Sequence, residues 1–200
     1  MPASPEYLRG VRRLCDEREA LLIVDEVQCG LGRTGTWFAF EHAGIAPDIV
    51  TMAKALGNGV PIGACWARAD VAAAFAPGDH ATTFGGQPLA ARAALATLTV
   101  MEREDVPARA ARAGARLCEA LQKVDGVADV RGAGLLIAAE LGPGLDAKAV
   151  AQGCLDAGLV VNAVTASAVR MAPSLLVTDA EIDEAVSIVA HVCAAQGGTS

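Results

Sequence analysis

Lysine is scarce in this sequence, and one lysine stands in an unusual setting. Only three of the 16 basic residues are lysines. Lys123 and Lys148 occur in polar helical stretches, whereas Lys54 follows the mostly apolar run 49–53. Removing an amine from water favours its neutral form, which is the nucleophile that condenses with a carbonyl group. Lys54 is therefore a candidate for covalent catalysis, and the alternative interpretation is a strand-end lysine that extends into solvent.

Asp25 is the second candidate, because it ends another apolar run. Residues 21–24 are all apolar and lead directly into it. A carboxylate in such a pocket can keep a pyridine nitrogen protonated, which makes the ring a stronger electron sink. The alternative is a helix-capping or loop carboxylate. We expect Asp25 and Lys54 to lie beside the same pocket.

Two other patterns are similar to nucleotide-binding motifs, but their context disfavours both. Residues 30–35 fit G-x-G-x-x-G, and Asp48 lies 18 residues after the first glycine. However, Asp25 and Glu26 separate the strand from these glycines, and residues 36–44 are too short for a crossover helix. The run LLIVDE is similar to the magnesium-binding strand of P-loop ATPases, yet the sequence contains no G-x-x-x-x-G-K-[ST] loop.

Short apolar runs alternate with helical periodicity, which predicts an α/β fold. The continuous run 21–24 is typical of a strand buried on both faces of a parallel sheet. Further strands are predicted at 48–52, 61–67, 127–131, 135–141, 159–164 and 168–172. Helices are predicted at 5–18, 89–103, 108–124, 146–157 and 179–194, the last one capped by Thr178. The shorter strands of the second half indicate a separate α+β domain, and the tail 196–200 is expected to fray.

Composition excludes several classes of function. The chain is 53% hydrophobic, so it can bury a core. Its net charge of −7 disfavours nucleic-acid binding, and Arg9, Arg12 and Arg13 are interpreted as a solvated helix face. No apolar stretch approaches the roughly 20 residues that span a bilayer, and residues 1–12 lack a signal-peptide core. Six scattered cysteines and three unpaired histidines predict a cytoplasmic protein without a metal site.

Four ordered blocks of sequence carry a specific resemblance. They are DEVQCGLGRTG at 25–35, PDIVTMAKALGNGVPIG at 47–63, TTFGGQP at 82–88 and VRMAPSL at 169–175. In these blocks the sequence resembles the class III aminotransferases, and most of all the acetylornithine aminotransferases. The resemblance implies a fold-type I enzyme dependent on pyridoxal 5'-phosphate, and a homodimer. It also implies that residues 1–105 are the C-terminal portion of the large domain and 106–200 the small C-terminal domain.

The same resemblance implies a role for five residues. Lys54 matches the lysine that binds the cofactor covalently and then moves the substrate proton. Asp25 matches the partner of the pyridine nitrogen, and Gln28 the side chain that reaches the phenolic oxygen. Thr83 matches the hydroxyl that binds the cofactor phosphate of the neighbouring subunit. Arg170 matches the arginine that binds the substrate α-carboxylate, for which a planar guanidinium is suited.

Without the resemblance these last three residues have ordinary interpretations. Gln28 is a loop amide, Thr83 a turn-forming threonine before two glycines, and Arg170 a surface arginine at a strand end. Cys29 departs from the family pattern, which often has threonine there, and we expect little effect from it.

The reaction implied is transfer of an amino group between N2-acetylornithine and 2-oxoglutarate, a step of arginine biosynthesis. Other ω-aminotransferases, acting on ornithine, succinylornithine or 4-aminobutyrate, are the alternatives within the class. The family's N-terminal half has no counterpart in this sequence. That half would supply the phosphate cup, the aromatic residue that stacks on the ring and an acidic residue that selects substrates. We therefore expect the chain by itself to be inactive, and a catalytically silent fragment is the alternative of a different kind.

Overall fold

The chain forms two compact units in a computed structural model that describes residues 2–197. The N-terminal unit comprises residues 3–107, and the C-terminal unit comprises residues 108–197 together with Pro2. Each unit combines helices with a β-sheet, which confirms the predicted α/β class. No helix in this described range is long and apolar enough to cross a membrane. No cluster of metal-binding side chains was found within it.

A three-stranded sheet forms the centre of the N-terminal unit. Its strands are β1 (Ile23–Asp25), β2 (Ile49–Met52) and β3 (Ala64–Ala67), and its helices are α1 (Pro5–Glu17), α2 (Ala69–Ala72) and α3 (Pro88–Arg103). β1 and β2 are parallel, with Asp25 opposite Thr51. β2 and β3 are antiparallel, because the segment between them contains no crossover helix that could return the chain.

β1 is more exposed than the sequence indicates. The predicted burial on both faces is wrong for this strand, since Ile23 is 59% exposed. The physical reason is its place in the sheet: β1 is an edge strand that pairs only with β2 in the described chain. β2, which is flanked on both sides, buries Val50. An apolar run therefore predicted the strand correctly but not its degree of burial.

Asp48 holds β1 and β2 in register at their amino ends. Its carboxylate accepts the Leu22 N–H at 2.7 Å and forms ion pairs with Arg12 at 2.7 Å and with Arg68. The Leu22 N–H and the Arg12 guanidinium hold the pKa of Asp48 below its usual value. The interpretation of Arg12 as a solvated residue is therefore wrong, because this side chain reaches from α1 to a buried carboxylate.

The C-terminal unit is built on a four-stranded antiparallel sheet in the order β4-β5-β7-β6. Its elements are α4 (Val106–Leu121), β4 (Val127–Ala133), β5 (Leu136–Leu141), α5 (Ala147–Asp156), β6 (Asn162–Ala163), β7 (Ala168–Met171) and α6 (Asp179–Gly197). On β5 the side chains of Ile137, Ala139 and Leu141 point into one continuous core. The alternation on β5 is that of a sheet with one buried face.

Two details of the C-terminal unit differ from expectation. The strand predicted at 159–164 is only Asn162–Ala163, because this edge strand pairs with β7 alone and Val160 is exposed. Thr178 caps α6 as predicted, since its hydroxyl accepts the Glu181 N–H and Glu181 accepts the Thr178 N–H. α6 continues to Gly197, so the first two residues of the tail predicted at 196–200 belong to this helix, and 198–200 lie outside the described range.

Candidate active site

Asp25 is the last residue of β1, and its carboxylate is fixed from two sides. Its Oδ1 accepts the Thr51 hydroxyl at 3.1 Å and the Val27 N–H at 2.9 Å. Its Oδ2 accepts no hydrogen bond from the described residues. Thr51 stands opposite Asp25 on the neighbouring parallel strand, so the sheet register itself orients the carboxylate. One oxygen remains available for a partner that the described chain does not supply.

Lys54 lies two residues beyond β2, in a strained turn. Its φ is +43°, a left-handed value that non-glycine residues adopt rarely and at a cost of about 1–3 kcal/mol. A single 3-10 turn, Lys54–Leu56, holds it, and the Leu56 N–H donates to Ala53 O at 3.0 Å. The turn then depends on Gly57, where a Cβ atom would lie 2.1 Å from Val60 O. Strain held by such surroundings is typical of functional positions.

The side chain of Lys54 is exposed, so its expected desolvation is wrong for this chain. The strand before it is flanked and partly buried, and the turn itself buries Leu56 and contacts α3, but the side chain of Lys54 is exposed. The amine forms no hydrogen bond or ion pair with a described residue. It is therefore accessible and available for a covalent partner.

Asp25 and Lys54 lie at the same end of two adjacent strands, because β1 and β2 are parallel and Asp25 stands opposite Thr51, three residues before Lys54. Burial raises the pKa of Cys29 most, the negative charges of Glu26 and Asp25 raise it further, and the positive charge of Lys54 lowers it. All three charges therefore act on one thiol at the carboxyl ends of β1 and β2. The structure thus brings Asp25 and Lys54 to the same end of two adjacent strands, the region where ligands bind in open α/β sheets.

Glu26 is a buried residue of this site that the sequence analysis did not single out. Its N–H donates to Thr51 O at 3.0 Å, and its Oε1 accepts the Phe40 N–H at 3.0 Å. Its own carbonyl accepts the Gly30 N–H at 3.0 Å, which closes the turn that carries Gln28. Burial raises the pKa of Glu26. The sequence did contain a signal for this residue: successive side chains of a strand point to opposite faces, so Glu26 lies on the face opposite Asp25.

Gln28 and Thr83 both lie in exposed loops of the N-terminal unit. Thr83 lies inside a turn that its neighbour closes, because Thr82 Oγ1 accepts the Gly85 N–H at 3.1 Å. The Thr83 hydroxyl has no partner among the described residues. Both side chains are thus free to contact another molecule.

Arg170 belongs to the C-terminal unit, in the middle of β7. It stands between Ala138 on β5 and Asn162 on β6, and its guanidinium donates to Asn162 Oδ1 at 3.4 Å. The nearby arginine of β4, Arg131, is instead neutralised by Glu140 at 2.6 Å. Arg170 forms no ion pair with a described residue, so its charge is available to an anionic ligand.

The structure explains why the G-x-G-x-x-G pattern at residues 30–35 is not a dinucleotide-binding site. Residues 30–35 form turns and lead into the 3-10 turn Ala39–Ala43, not into a helix whose N-terminus could bind phosphate. Asp48 is committed to Arg12 and Arg68 and is 1% exposed, so it cannot contact a ribose.

The comparison with protein families gives one match over nearly the whole chain. A model described as aminotransferase class-III matches residues 1–193. The acetylornithine aminotransferase of Corynebacterium efficiens is 49% identical over 97% of this chain and 48% of its own length. The acetylornithine aminotransferase of Archaeoglobus fulgidus is 46% identical over 94% of this chain and 48% of its own. The chain thus spans about half the length of these relatives.

Solved structures agree with these sequence matches. The ornithine aminotransferase of Toxoplasma gondii superposes with a TM-score of 0.91 at 36% identity, over 98% of this chain and 48% of that one. A second structure of that protein, with a TM-score of 0.90 at 37% identity over 98% of this chain and 47% of that one, has partial occupancy of pyridoxal phosphate at its active site. The expected fold, the latter part of a fold-type I transferase, is confirmed by these superpositions.

Proposed function

We propose that this chain, which belongs to the class III aminotransferases, carries the cofactor-binding lysine of an acetylornithine aminotransferase. The enzyme would move an amino group between N2-acetylornithine and 2-oxoglutarate with pyridoxal 5'-phosphate as cofactor. The observation that carries this proposal is the placement of Asp25 and Lys54 at the carboxyl ends of adjacent parallel strands.

The residues present fit pyridoxal phosphate. An aldehyde needs an accessible amine, and the Lys54 amine is exposed and unpaired in the described chain. A protonated pyridine nitrogen needs an oriented carboxylate, and Asp25 is held through Oδ1 with Oδ2 open. The cofactor, when bound, supplies the aldehyde that takes the amino group and the ring that accepts electrons from the substrate Cα.

Each of the five candidate site residues would then have a distinct role. Lys54 Nζ would bind the cofactor and later carry the proton that leaves the substrate Cα. Asp25 Oδ2 would hold the proton at the ring nitrogen. Gln28 would donate to the phenolic oxygen, and Thr83 to the phosphate in a neighbouring subunit of a homodimer. Arg170 would bind the substrate α-carboxylate through its guanidinium, which has no competing ion pair in the described chain.

The domain assignment and the location belong to the same proposal. Residues 1–105 would be the end of the large cofactor-binding domain, and residues 106–200 the small C-terminal domain. All six cysteines are free thiols, which supports a reducing compartment such as the cytoplasm.

The choice of amino donor is supported by sequence identity. The acetylornithine aminotransferase of C. efficiens is 49% identical, whereas the T. gondii ornithine aminotransferase is 36% identical. Ornithine is the second candidate, because its aminotransferases superpose with TM-scores near 0.9. An aminotransferase site that uses one arginine for the α-carboxylate is compatible with either donor.

A glutamate-forming assay tests the proposal. The chain is coexpressed with the N-terminal half of the C. efficiens enzyme, and N-acetylornithine, ornithine, succinylornithine and 4-aminobutyrate are compared as donors. We expect the highest kcat/KM with N-acetylornithine and no turnover by the chain alone, because the chain matches only about half of each relative and a cofactor must be held precisely to react. A higher kcat/KM with another donor would show that N-acetylornithine is not the preferred substrate. Turnover by the chain alone would contradict the requirement for a second half.

A further inference from the structure

We propose that Arg131 is a positioning residue: by holding the carboxylate of Glu140, it keeps the guanidinium of Arg170 free for an anionic ligand. The inference rests on the proposed function only for the identity of that ligand, the carboxylate group of the substrates. It adds a reason why a binding arginine carries no ion pair in the described chain although a carboxylate of its own sheet lies within reach.

The register of the C-terminal sheet places Arg131 and Arg170 on either side of one alanine. Ala138 on β5 stands opposite Arg131 on β4 and opposite Arg170 on β7. Glu140 lies two residues further along β5 and therefore points to the same face of the sheet as Ala138. Diagonal neighbours on antiparallel strands are roughly 7–8 Å apart, a distance that long side chains can bridge. Glu140 is thus a diagonal neighbour of both arginines, and the register would allow an ion pair with either one.

Glu140 pairs with Arg131 and not with Arg170. Arg131 Nη2 lies 2.6 Å from Glu140 Oε2, and the Ser167 hydroxyl donates to Glu140 Oε1. The Arg170 guanidinium instead contacts β6, where it donates to Asn162 Oδ1 at 3.4 Å. The Ser167 hydroxyl and the Arg131 guanidinium hold the pKa of Glu140 below its usual value, so this side chain is a carboxylate at neutral pH. Both of its oxygens are therefore occupied by groups other than Arg170.

A carboxylate released beside Arg170 would compete with any carboxylate ligand. The side chains of Arg131 and Glu140 are only 25% and 28% exposed, so water screens their charges in part. Loss of the Arg131 charge would leave Glu140 with Arg170 as the other arginine that the register brings within reach. That pair would lower the fraction of protein able to bind the ligand, which raises the apparent dissociation constant. A cross-strand pair that only stabilised the sheet would have no such effect on Arg170.

NMR of the isotope-labelled chain tests the restraint without cofactor or turnover. We expect Arg131→Gln to shift the side-chain Nε–Hε signal of Arg170 and to slow its exchange with water, because Glu140 then pairs with Arg170. Adding Glu140→Gln should return the signal to its original position. Arg116→Gln is the control, since it removes an arginine that pairs with Asp183 at 2.7 Å in the same unit, and it should leave the signal unchanged.

A second variant covers the case in which Arg131→Gln does not fold. Ser167→Ala removes only the hydroxyl that holds Glu140 Oε1 and leaves no charge without its partner. It should shift the Arg170 signal in the same direction by a smaller amount. An Arg170 signal that stays unchanged in the folded Arg131→Gln variant, or in Ser167→Ala where only that variant folds, would overturn the proposal.

Kinetics of the chain coexpressed with the N-terminal half of the C. efficiens enzyme separate this inference from the proposed function. Arg131→Gln should raise KM for the amino donor and for 2-oxoglutarate about three- to fivefold and change kcat less than about twofold. Adding Glu140→Gln should restore KM. Pairing seen by NMR without a rise in KM would support the restraint on Glu140 and contradict the proposed role of Arg170. A fall in kcat with unchanged KM and no NMR shift, or a double variant no better than Arg131→Gln, would overturn the inference.

Discussion

The two units of this chain distribute their apolar residues differently. In the C-terminal unit, Leu121, Leu135 and Ile137 are almost completely buried in one core to which all three long helices contribute. In the N-terminal unit, Leu89 is 74% exposed, and Phe84 and Ile23 are also largely exposed. A side chain of this size contributes about 1.5–3 kcal/mol when it is buried. The C-terminal unit therefore has its own source of stability, whereas the N-terminal unit lacks part of the apolar contact that its composition could provide.

The residues proposed for chemistry are concentrated in the unit that exposes more of its large apolar side chains. Asp25, Gln28, Lys54 and Thr83 all lie within residues 3–107, and each of these residues is exposed. The C-terminal unit contributes Arg170 from the polar face of its sheet. A cofactor site needs accessible, precisely held groups, while a core needs groups that are removed from water. On the proposed function, the difference between the units would be a difference of task, and variants of each unit test it.

The largest effect is expected at Lys54. In the protein completed by the N-terminal half, Lys54→Ala should lower turnover by about 10⁴-fold or more, because no other residue of the site offers an amine. Borohydride reduction followed by mass spectrometry should then find no cofactor on the chain. The free energy of unfolding should hardly change, since this side chain is exposed. A reducible adduct that persists in Lys54→Ala would contradict the assignment.

Asp25→Asn should have a smaller effect on the same chemistry. Cofactor should still bind, but turnover should fall about 10²–10³-fold, because an amide cannot hold the ring nitrogen protonated. Single-turnover kinetics with substrate deuterated at Cα would show whether proton removal is the slowed step. Thr51→Val is the control, since it removes only the hydroxyl that orients Asp25 and should cost less. Near-normal turnover of Asp25→Asn would mean that the carboxylate is only structural.

A leucine in each unit compares the two cores. Leu121→Ala in α4 should cost about 3 kcal/mol of unfolding free energy, because it leaves a cavity in a closed core. Leu89→Ala in α3 should change it by less than about 0.5 kcal/mol in the chain alone. Urea denaturation followed by circular dichroism measures both. Equal costs would show that the N-terminal unit is as well packed as the C-terminal one.

A further effect, which disappears at low pH, is the stability that Asp48 adds to the N-terminal unit. Its folded-state pKa is lowered, so its contribution to stability is present above the unfolded pKa of about 3.9 and is lost as pH falls through the folded value. Asp48→Asn should cost about 3 kcal/mol at neutral pH, and the cost should shrink below about pH 4. Thermal unfolding of both proteins between pH 7 and pH 3 measures it. Asp70→Asn, which removes an exposed carboxylate from Arg68, is the control and should have little effect.

The sequence by itself determined the elements, their order and the residues able to do chemistry. Periodicity predicted α3, α4 and β5 closely, because residues that are close in sequence determine which face of a helix or strand is apolar. The four sequence blocks and their order were sufficient to identify the family, which the match over residues 1–193 confirms. The proposed roles of Lys54, Asp25, Gln28, Thr83 and Arg170 come from the same blocks and stay predictions.

Only the tertiary structure decided how these residues are held. Lys54 has a left-handed backbone in a turn where Val60 approaches Gly57 closely, and the orientation of Asp25 depends on Thr51 of the next strand. The roles of Asp48 and Glu26 emerge from partners many residues away in sequence. Exposure of β1 follows from its place at the sheet edge, which no local pattern contains. Contacts between distant residues set these properties, and composition and periodicity describe only near neighbours.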